Sequence, residues 1–335
     1  MYNGEKGGEK MEIELVISLQ GTRQTKWQSL LQSANLSPDG QLDSTVLVWE
    51  NEELIATGSR WGNILKCIAV DDHYRGQDLT ATVITKLRQD AFEAGYSHLF
   101  LYTKPNNELM FSSLLFYPIA RTADVLLMEN RQNGIGSFLN TLPAAEGKTV
   151  GAAVMNCNPF TKGHRYLIET AAKECDRVYV FVLSEDRSEF SARDRLEMVK
   201  LGTADLPNVT VLPTGPYLIS SATFPTYFLK EQNKAALVQC QLDIEIFAKY
   251  FAPKFGITRR YVGTEPFCPV TSQYNDFLAE ALPKKGIELR QIPRLELEGT
   301  PISASAVRAS LNDKVKLAQL LPKTTLDHLL SKEEI

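Results

Sequence analysis

A short segment that begins at Thr161 carries residue types suited to binding a phosphate. It reads Thr161-Lys162-Gly163-His164 and follows the apolar run 149–155, which predicts a strand. A glycine beside a helix start lets the backbone approach a phosphate closely, and the free N–H groups of the first helical turn favour anions. From that turn, His164 could donate a hydrogen bond to charge that develops on a leaving group. Taken alone, the segment is more typical of a helix cap with a surface histidine.

A second segment near the C-terminus gathers two hydroxyls and a guanidinium. It runs from Ile302 to Arg308 and includes Ser303 and Ser305. Such groups at a predicted helix N-terminus can together hold phosphate oxygens. Ser303 is equally consistent with a simple N-cap that leaves Arg308 exposed to solvent. The two segments together, one after a strand and one before a final helix, fit one known family.

The paired segments resemble those of the HIGH-type nucleotidyltransferase superfamily, to which pantothenate synthetase and phosphopantetheine adenylyltransferase belong. In that superfamily an (H/T)-x-G-H loop and an I-S-x-(S/T)-x-(V/I)-R segment bind opposite sides of the ATP phosphates. The resemblance covers roughly residues 148–335 and implies that His164, Lys162 and Arg308 are catalytic. It implies no particular metal ligand. The nucleotide-binding residues that it implies are Asn158, Thr161, Gly163, Arg195, Gly263, Thr264, Glu265, Ile302, Ser303 and Ser305.

Several of these positions allow more than one role. Arg195 lies in the run 190–199, which resembles a superfamily helix, and is expected either at the active-site cleft or as a solvated helix arginine. Gly263 ends the predicted strand 259–263, where a ligand could approach the backbone. Arg259 and Arg260, at the start of that strand, are expected to be paired surface charges rather than phosphate ligands.

A pocket for a small acid has only candidates. Asn158, Tyr274 and Asn275 carry groups that could hydrogen-bond a carboxylate, although Asn275 is equally consistent with a capping role. Cys157 lies in the first motif loop, where small buried packing is favoured over a role as an acyl carrier.

Over residues 15–335, the domain order and strings such as MNCNPFTKGHRYLIETAA and VGTEPFCPVTSQYN resemble one narrower family, the citrate lyase ligases. This resemblance implies that acetate is activated with ATP and Mg²⁺, giving acetyl-AMP and pyrophosphate. The acetyl group would then pass to the thiol of a dephospho-coenzyme A-like prosthetic group on the acyl carrier subunit of citrate lyase. Two alternatives stay open: a nucleotidyltransferase that joins a nucleotide to a phosphorylated acceptor, and a nucleotide-sensing scaffold.

The elements before residue 131 predict a separate α+β unit. Its predicted strands are 46–50, 53–58, 64–70, 97–102 and 124–129, and its predicted helices are 77–94 and 107–115. The unit resembles the GCN5-type N-acetyltransferases, in which an R-G-x-G-x-(G/A) pattern cradles the pyrophosphate of coenzyme A. Arg75 and Gly76 match and are the expected residues for a coenzyme A-like group, but Asp78 and Thr80 replace glycines. Since a carboxylate repels a pyrophosphate, altered binding or a scaffold is favoured over an independent acetyltransferase.

From residue 148 strands alternate with helices, and runs such as 177–183 are apolar throughout, as strands covered on both faces are. The predicted fold class is therefore α/β: an N-acetyltransferase-like α+β domain followed by a Rossmann-like, doubly wound parallel sheet with its ligand at the strands' carboxyl ends. The predicted boundaries are a flexible tail at 1–14, a first domain at 15–133, a linker at 134–147 and a nucleotidyltransferase-like domain at 148–335.

The composition limits the expected number of domains, the classes of binding partner and the cellular location. A length of 335 residues favours two domains, and a net charge of −4 provides no overall basic field for nucleic acid or a membrane surface. The five cysteines are odd in number and include no C-x-x-C pair, so a disulfide framework is not expected and a reducing cytoplasm is the simplest location. No apolar run approaches the ~20 residues that span a bilayer.

Overall fold

The computed structural model describes residues 11–38, 40–185, 188–218, 232–265 and 269–332. The chain divides into two compact units, Met1–Gly134 with Phe224–Val238, and Ile135–Thr223 with Gln239–Ile335. The segment 134–147, predicted to be a linker, contains the helix Gly134–Asn140. No helix in the described ranges is long and apolar enough to cross a membrane.

The first unit contains a mixed sheet of seven strands in the order β1-β2-β3-β4-β5-β7-β6. Neighbouring strands are antiparallel except for the parallel pair β4 and β5. The strands are β1 (Met11–Val16), β2 (Ser44–Glu50), β3 (Glu53–Trp61), β4 (Ile64–Val70), β5 (Phe100–Thr103), β6 (Tyr117–Arg121) and β7 (Leu126–Glu129). The helices are α1 (Gly21–Ser33), α2 (Leu79–Glu93) and α3 (Glu108–Ser113).

The periodicity of apolar side chains in the sequence predicted most of these elements. The helix predicted at 77–94 is α2, and its apolar residues are buried against the sheet because residues at helical spacing share one face. Three elements, β1, α1 and β6, were not predicted. The predicted tail is also too long, since residues 11–14 lie in β1 and pair antiparallel with β2.

The second unit contains a sheet of five parallel strands in the order β10-β9-β8-β11-β12. A separate antiparallel pair consists of two-residue strands, β13 (Glu296–Leu297) and β14 (Thr300–Pro301). The strand order reverses between β8 and β11, and ligands of such sheets bind at the carboxyl ends beside this point. The predicted doubly wound fold is confirmed. The strands are β8 (Val150–Met155), β9 (Arg177–Val182), β10 (Val209–Pro213), β11 (Arg259–Gly263) and β12 (Glu288–Ile292).

Helices pack against this sheet, and the first helix after β8 is joined to that strand by a loop at the strand's carboxyl end. The helix Gln232–Ile246 continues into a π-helical turn at Phe247–Phe251. After α4 (Gly134–Asn140), the helices are α5 (Lys162–Glu174), α6 (Ala192–Gly202), α7 (Gln232–Ile246), α8 (Ala252–Phe255), α9 (Pro269–Lys284), α10 (Ala304–Arg308), α11 (Lys314–Leu320) and α12 (Lys323–Ser331).

Candidate nucleotide site

The two motif segments, far apart in the sequence, lie against each other beyond the carboxyl end of β8. A Cβ atom placed on Gly163 would lie only 2.9 Å from the backbone oxygen of Ile302, so glycine is what permits this approach. A second contact comes from Arg308, whose Nη1 donates to the backbone oxygen of Asn158. The structure therefore brings the first and second predicted segments together at one edge of the sheet.

The start of α5 orients the imidazole of His164. Thr161 is the N-cap, and its hydroxyl oxygen accepts a hydrogen bond of 3.3 Å from the backbone N–H of His164. In return, the backbone N–H of Thr161 donates to Nδ1 of His164 at 3.0 Å. Because Nδ1 acts as an acceptor, the proton of the neutral ring lies on Nε2. His164 can thus present Nε2–H as a donor.

The surroundings keep this imidazole neutral. Burial lowers the pKa of His164 to about 4, and the positive charge of Arg294 acts in the same direction. The ring stacks on Phe160 with 6.0 Å between centroids. At neutral pH, His164 is therefore a hydrogen-bond donor of fixed orientation rather than a cation.

The second segment supplies hydroxyls and a guanidinium. Ser303 is the N-cap of α10, and its hydroxyl accepts from the backbone N–H of Ala306 at 3.1 Å. Nη2 of Arg308 donates to the Ser305 hydroxyl at 3.1 Å. Within the described ranges Arg308 forms no ion pair with a carboxylate, so its charge is available to a bound anion.

Lys162, predicted to act on the phosphates, is engaged elsewhere. Its ammonium donates to the backbone oxygens of Ala318 and Gln319, each at 2.8 Å. These oxygens lie in the last turn of α11, where a cation is favourable because the carbonyls of a helix end lack partners. In this arrangement Lys162 fastens α11 to the start of α5.

Arg195 is not the solvated helix arginine that was one of the two roles considered for it. The residue is fully buried, and Nη1 donates at 2.8 Å to the backbone oxygens of both Asn156 and Leu183. Nε donates to the backbone oxygen of Phe190 at 3.1 Å, and Nη2 donates to that of Glu185. The guanidinium therefore joins the loops that follow β8 and β9, and positions the first motif without facing solvent.

Asn158 and Cys157 also have mainly structural contacts. The side-chain oxygen of Asn158 accepts from the backbone N–H of Phe190 at 3.0 Å. Cys157 is buried, and burial raises the pKa of its thiol. A protonated, enclosed thiol is a poor nucleophile, in line with the packing role predicted for Cys157.

The end of β11 carries three predicted residues, and the neighbouring strand adds one that was missed. Asn275 donates through Nδ2 to the backbone oxygen of Gly263 at 3.0 Å. Arg294, two residues past β12, donates through Nε to the oxygen of Thr264 at 2.7 Å and forms an ion pair with Glu265. The sequence signal that could have identified Arg294 is its position just past a predicted parallel strand. Residues 266–268 of the matched string VGTEPFCPVTSQYN lie outside the described residues.

The interpretation of Arg260 as a surface charge is wrong. It is 2% exposed and lies over the ring of Phe247, with 4.4 Å to the ring centroid. Its Nη2 donates to the hydroxyl of Tyr274 at 3.0 Å, and that hydroxyl donates to Asp243 at 2.6 Å. Tyr274 is thus committed to a buried cluster rather than open to an acid. Arg259 does form a surface ion pair, at 2.7 Å from Glu288.

The first unit contains its own cavity, of about 570 Å³. It opens where β4 and β5 separate beyond their register pair Leu65↔Leu101. Arg75 and Gly76 line it together with Asp78. The guanidinium of Arg75 is largely exposed and pairs with Asp72 at 2.5 Å. Both residues predicted for a coenzyme A-like group therefore border a cavity.

Known proteins resemble both parts of the chain. A family model described as the citrate lyase ligase C-terminal domain matches residues 150–329. The [citrate [pro-3S]-lyase] ligase of Escherichia coli strain K12 is 42% identical over 309 residues, which cover 89% of this chain and 88% of that protein. The phosphopantetheine adenylyltransferase of Symbiobacterium thermophilum is 40% identical over 118 residues, 35% of this chain and 68% of that protein. Among solved structures, Escherichia coli ElaA matches with a TM-score of 0.33 and 15% identity, over 36% of this chain and 99% of that chain.

Proposed function

The chain belongs to the citrate lyase ligase family, and we propose that it activates acetate with ATP and transfers the acetyl group to the acyl carrier subunit of citrate lyase. In the first step, an acetate oxygen attacks the α-phosphorus of ATP, and acetyl-AMP forms as pyrophosphate leaves. In the second step, the thiol of the carrier's dephospho-coenzyme A-like prosthetic group attacks the acetyl carbonyl and loses its proton. AMP leaves, and the thioester remains.

The observation that carries this proposal is the contact between the two motif segments at Gly163 and Ile302. One triphosphate can then meet donors from both segments. In the proposed complex, the first-turn N–H groups of α5 and the hydroxyls of Ser303 and Ser305 bind phosphate oxygens.

His164 and Arg308 act on the charge that develops during the reaction. As the bond to the α-phosphorus breaks, negative charge grows on the pyrophosphate. Nε2–H of His164 and the guanidinium of Arg308 donate to it. A donor that is already oriented needs no rearrangement as this charge appears, because Thr161 holds the ring through Nδ1. Lys162 stays in the proposal as a catalytic residue only if its ammonium leaves the end of α11.

Mg²⁺ is part of the proposal as a companion of the nucleotide. In the part of the chain that the structure describes, no three or more His, Cys, Asp or Glu side chains form a group that could hold a metal ion. Mg²⁺ commonly binds through substrate phosphates and water, and would enter this site in that form. When bound it would neutralise charge on the triphosphate.

For the first unit, we assign residues 11–133 to an N-acetyltransferase-like domain whose cavity holds the carrier's prosthetic group beside Arg75 and Gly76. The separation of β4 from β5 and the cavity volume of about 570 Å³ support a site for an extended ligand. Residues 134–147 connect it to the nucleotidyltransferase-like domain at 148–335. Residues Asp78 and Thr80 lead us to expect weaker binding of a pyrophosphate than the glycine pattern allows.

The proposed first step is tested by acetate-dependent exchange of labelled pyrophosphate into ATP. Wild-type protein should catalyse the exchange, and His164→Ala should lose it by about a hundredfold or more, as expected for one preorganised donor. His73→Ala is the matched control, since the His73 side chain is 90% exposed and belongs to the first unit. Normal exchange by His164→Ala would remove His164 from catalysis.

A second candidate is a nucleotidyltransferase acting on a phosphorylated acceptor, favoured by the 40% identity to a phosphopantetheine adenylyltransferase over 118 residues. The acceptor separates the two candidates. Pyrophosphate release with a phosphate monoester such as 4′-phosphopantetheine, and none with acetate, would replace the ligase proposal with this one.

A further inference from the structure

Arg294 is a cation at the proposed site that belongs to neither motif. It follows β12 by two residues, and the carboxyl ends of parallel strands meet at one edge of the sheet. The end of β11 lies at the same edge, and so does Gly163 at the start of α5. Arg294 therefore lies where the strand order directs ligands.

Two of its donors are already engaged with the end of β11. Nε donates to the backbone oxygen of Thr264 at 2.7 Å, and Nη2 pairs with the carboxylate of Glu265, whose side chain is 8% exposed. The stem passes close to Gly263, with Cγ 3.9 Å from the position of a Cβ on that residue. These contacts fix the plane of the guanidinium before any ligand binds, which reduces the entropy lost on binding.

The third nitrogen remains available. Among the residues that the structure describes, Nη1 of Arg294 has no hydrogen-bond partner, and the side chain keeps 27% of its surface exposed. The guanidinium also acts on His164, since its positive charge helps to lower the pKa of that imidazole. A Cβ placed on Gly263 would lie 3.8 Å from Cδ1 of Leu167 in α5 and 3.9 Å from Cγ of Arg294, so Arg294 lies beside the helix that carries His164.

We propose that Arg294 is a further binding residue of the reaction, which donates Nη1–H to an oxyanion of a reactant held beside His164. The oxyanion is either a phosphate of the nucleotide or the carboxylate of the acid. Arginine suits this role because its rigid fork lets Nη1 bind an anion while Nε and Nη2 stay fixed. This inference rests on the proposed function, because it assumes that those reactants meet at this edge.

The test uses the full chain and measures pyrophosphate exchange at varied ATP and varied acetate. Arg294→Met should raise the KM of one reactant by about tenfold or more, as the loss of one charge-assisted hydrogen bond predicts. A rise for ATP alone identifies a phosphate as the ligand, and a rise for acetate alone identifies the carboxylate. Arg294→Lys should restore part of the loss, because it keeps the charge without the fork.

A second readout does not depend on turnover. In Arg294→Met, the pKa of His164 should rise because a neighbouring positive charge has been removed. An NMR titration of the His164 ring signals measures this pKa. Arg290→Met is the matched control. Arg290 lies within β12 and pairs with Glu174 at 3.2 Å, so its removal should leave both KM values unchanged.

Unchanged KM values for both reactants in a folded Arg294→Met protein would overturn the inference while leaving the ligase proposal intact. If Arg294→Met does not fold, the inference is tested with Arg294→Lys instead. Wild-type KM values for both reactants in Arg294→Lys would then contradict the inference. If the wild-type protein shows no exchange with any acid, the proposed function fails instead. Calorimetric titration with ATP then decides on Arg294, and equal affinity of the wild-type and Arg294→Met proteins would reject the inference.

Discussion

The contact between Gly163 and Ile302 can be tested by adding a single methyl group. In Gly163→Ala, the new Cβ would lie 2.9 Å from the backbone oxygen of Ile302, whereas ordinary contacts begin at 3.4 Å. Relieving the overlap takes 3.4 − 2.9, or about 0.5 Å, of movement between the two segments. The obstacle is backbone, which yields less easily than a flexible side chain. The two motifs should therefore move apart.

The expected magnitudes separate stability from activity. Overpacking of this kind costs about 1–3 kcal/mol, but replacing glycine by alanine within α5 returns up to about 1 kcal/mol of helix propensity. The net loss of unfolding free energy should then be about 0–2 kcal/mol. Activity should fall further. A misplacement of 1 Å can cost about a hundredfold in rate, so about 0.5 Å should cost about tenfold in kcat/KM for ATP.

The assay pairs urea denaturation with pyrophosphate exchange at varied ATP. Gly40→Ala is the control, because a Cβ at Gly40 meets nothing within 4 Å. The expected result is a folded Gly163→Ala protein with much weaker exchange, beside an unaffected Gly40→Ala protein. If Gly163→Ala kept wild-type kcat/KM, close approach of the two segments would not be needed for the reaction, and our reasoning would be refuted.

Three further predictions concern buried or charged groups. Arg195→Met should lower the unfolding free energy by roughly 3 kcal/mol or more in urea denaturation, because the backbone oxygens of Asn156 and Leu183 lose the hydrogen bonds of a fully buried guanidinium. An unchanged midpoint would contradict its loop-joining role. The ring signals of His164 should titrate near pH 4 by NMR. Because the unfolded chain takes up this proton near pH 6.5, the unfolding free energy should fall as the pH falls from about 6.5 to about 4. An NMR midpoint near 6.5 would contradict the enclosed site. Hydrogen bonds from Lys332 and Ser191 lower the pKa of Asp194 to about 2. Asp194→Asn should therefore lower the unfolding free energy by about 2 kcal/mol at pH 7. That cost should disappear as the pH falls from about 4 to about 2, and a pH-independent difference in denaturation would rule out this origin.

Elements with strong local patterns were predictable. The stripe of α2 and the apolar strand β9 follow from side-chain periodicity and from burial on both faces, which the sequence carries directly. Elements without such a pattern were not. The strand β1 lies at the edge of its sheet with its apolar side chains largely exposed, so its place depends on pairing with β2 rather than on its own composition.

By itself, the sequence determined which segments carry residue types suited to binding a phosphate, because the types and spacing of Gly163, His164, Ser303 and Arg308 are local properties. Only the tertiary structure decided how other polar groups are used. Lys162 lies within the first motif but binds the end of α11, and the Arg195 side chain is directed inward to loop carbonyls. Arg294 meets Thr264 and Glu265 only because β11 and β12 are neighbours in the sheet. The direction of a long charged side chain depends on which carbonyls and carboxylates surround it after folding, and those partners come from distant parts of the chain.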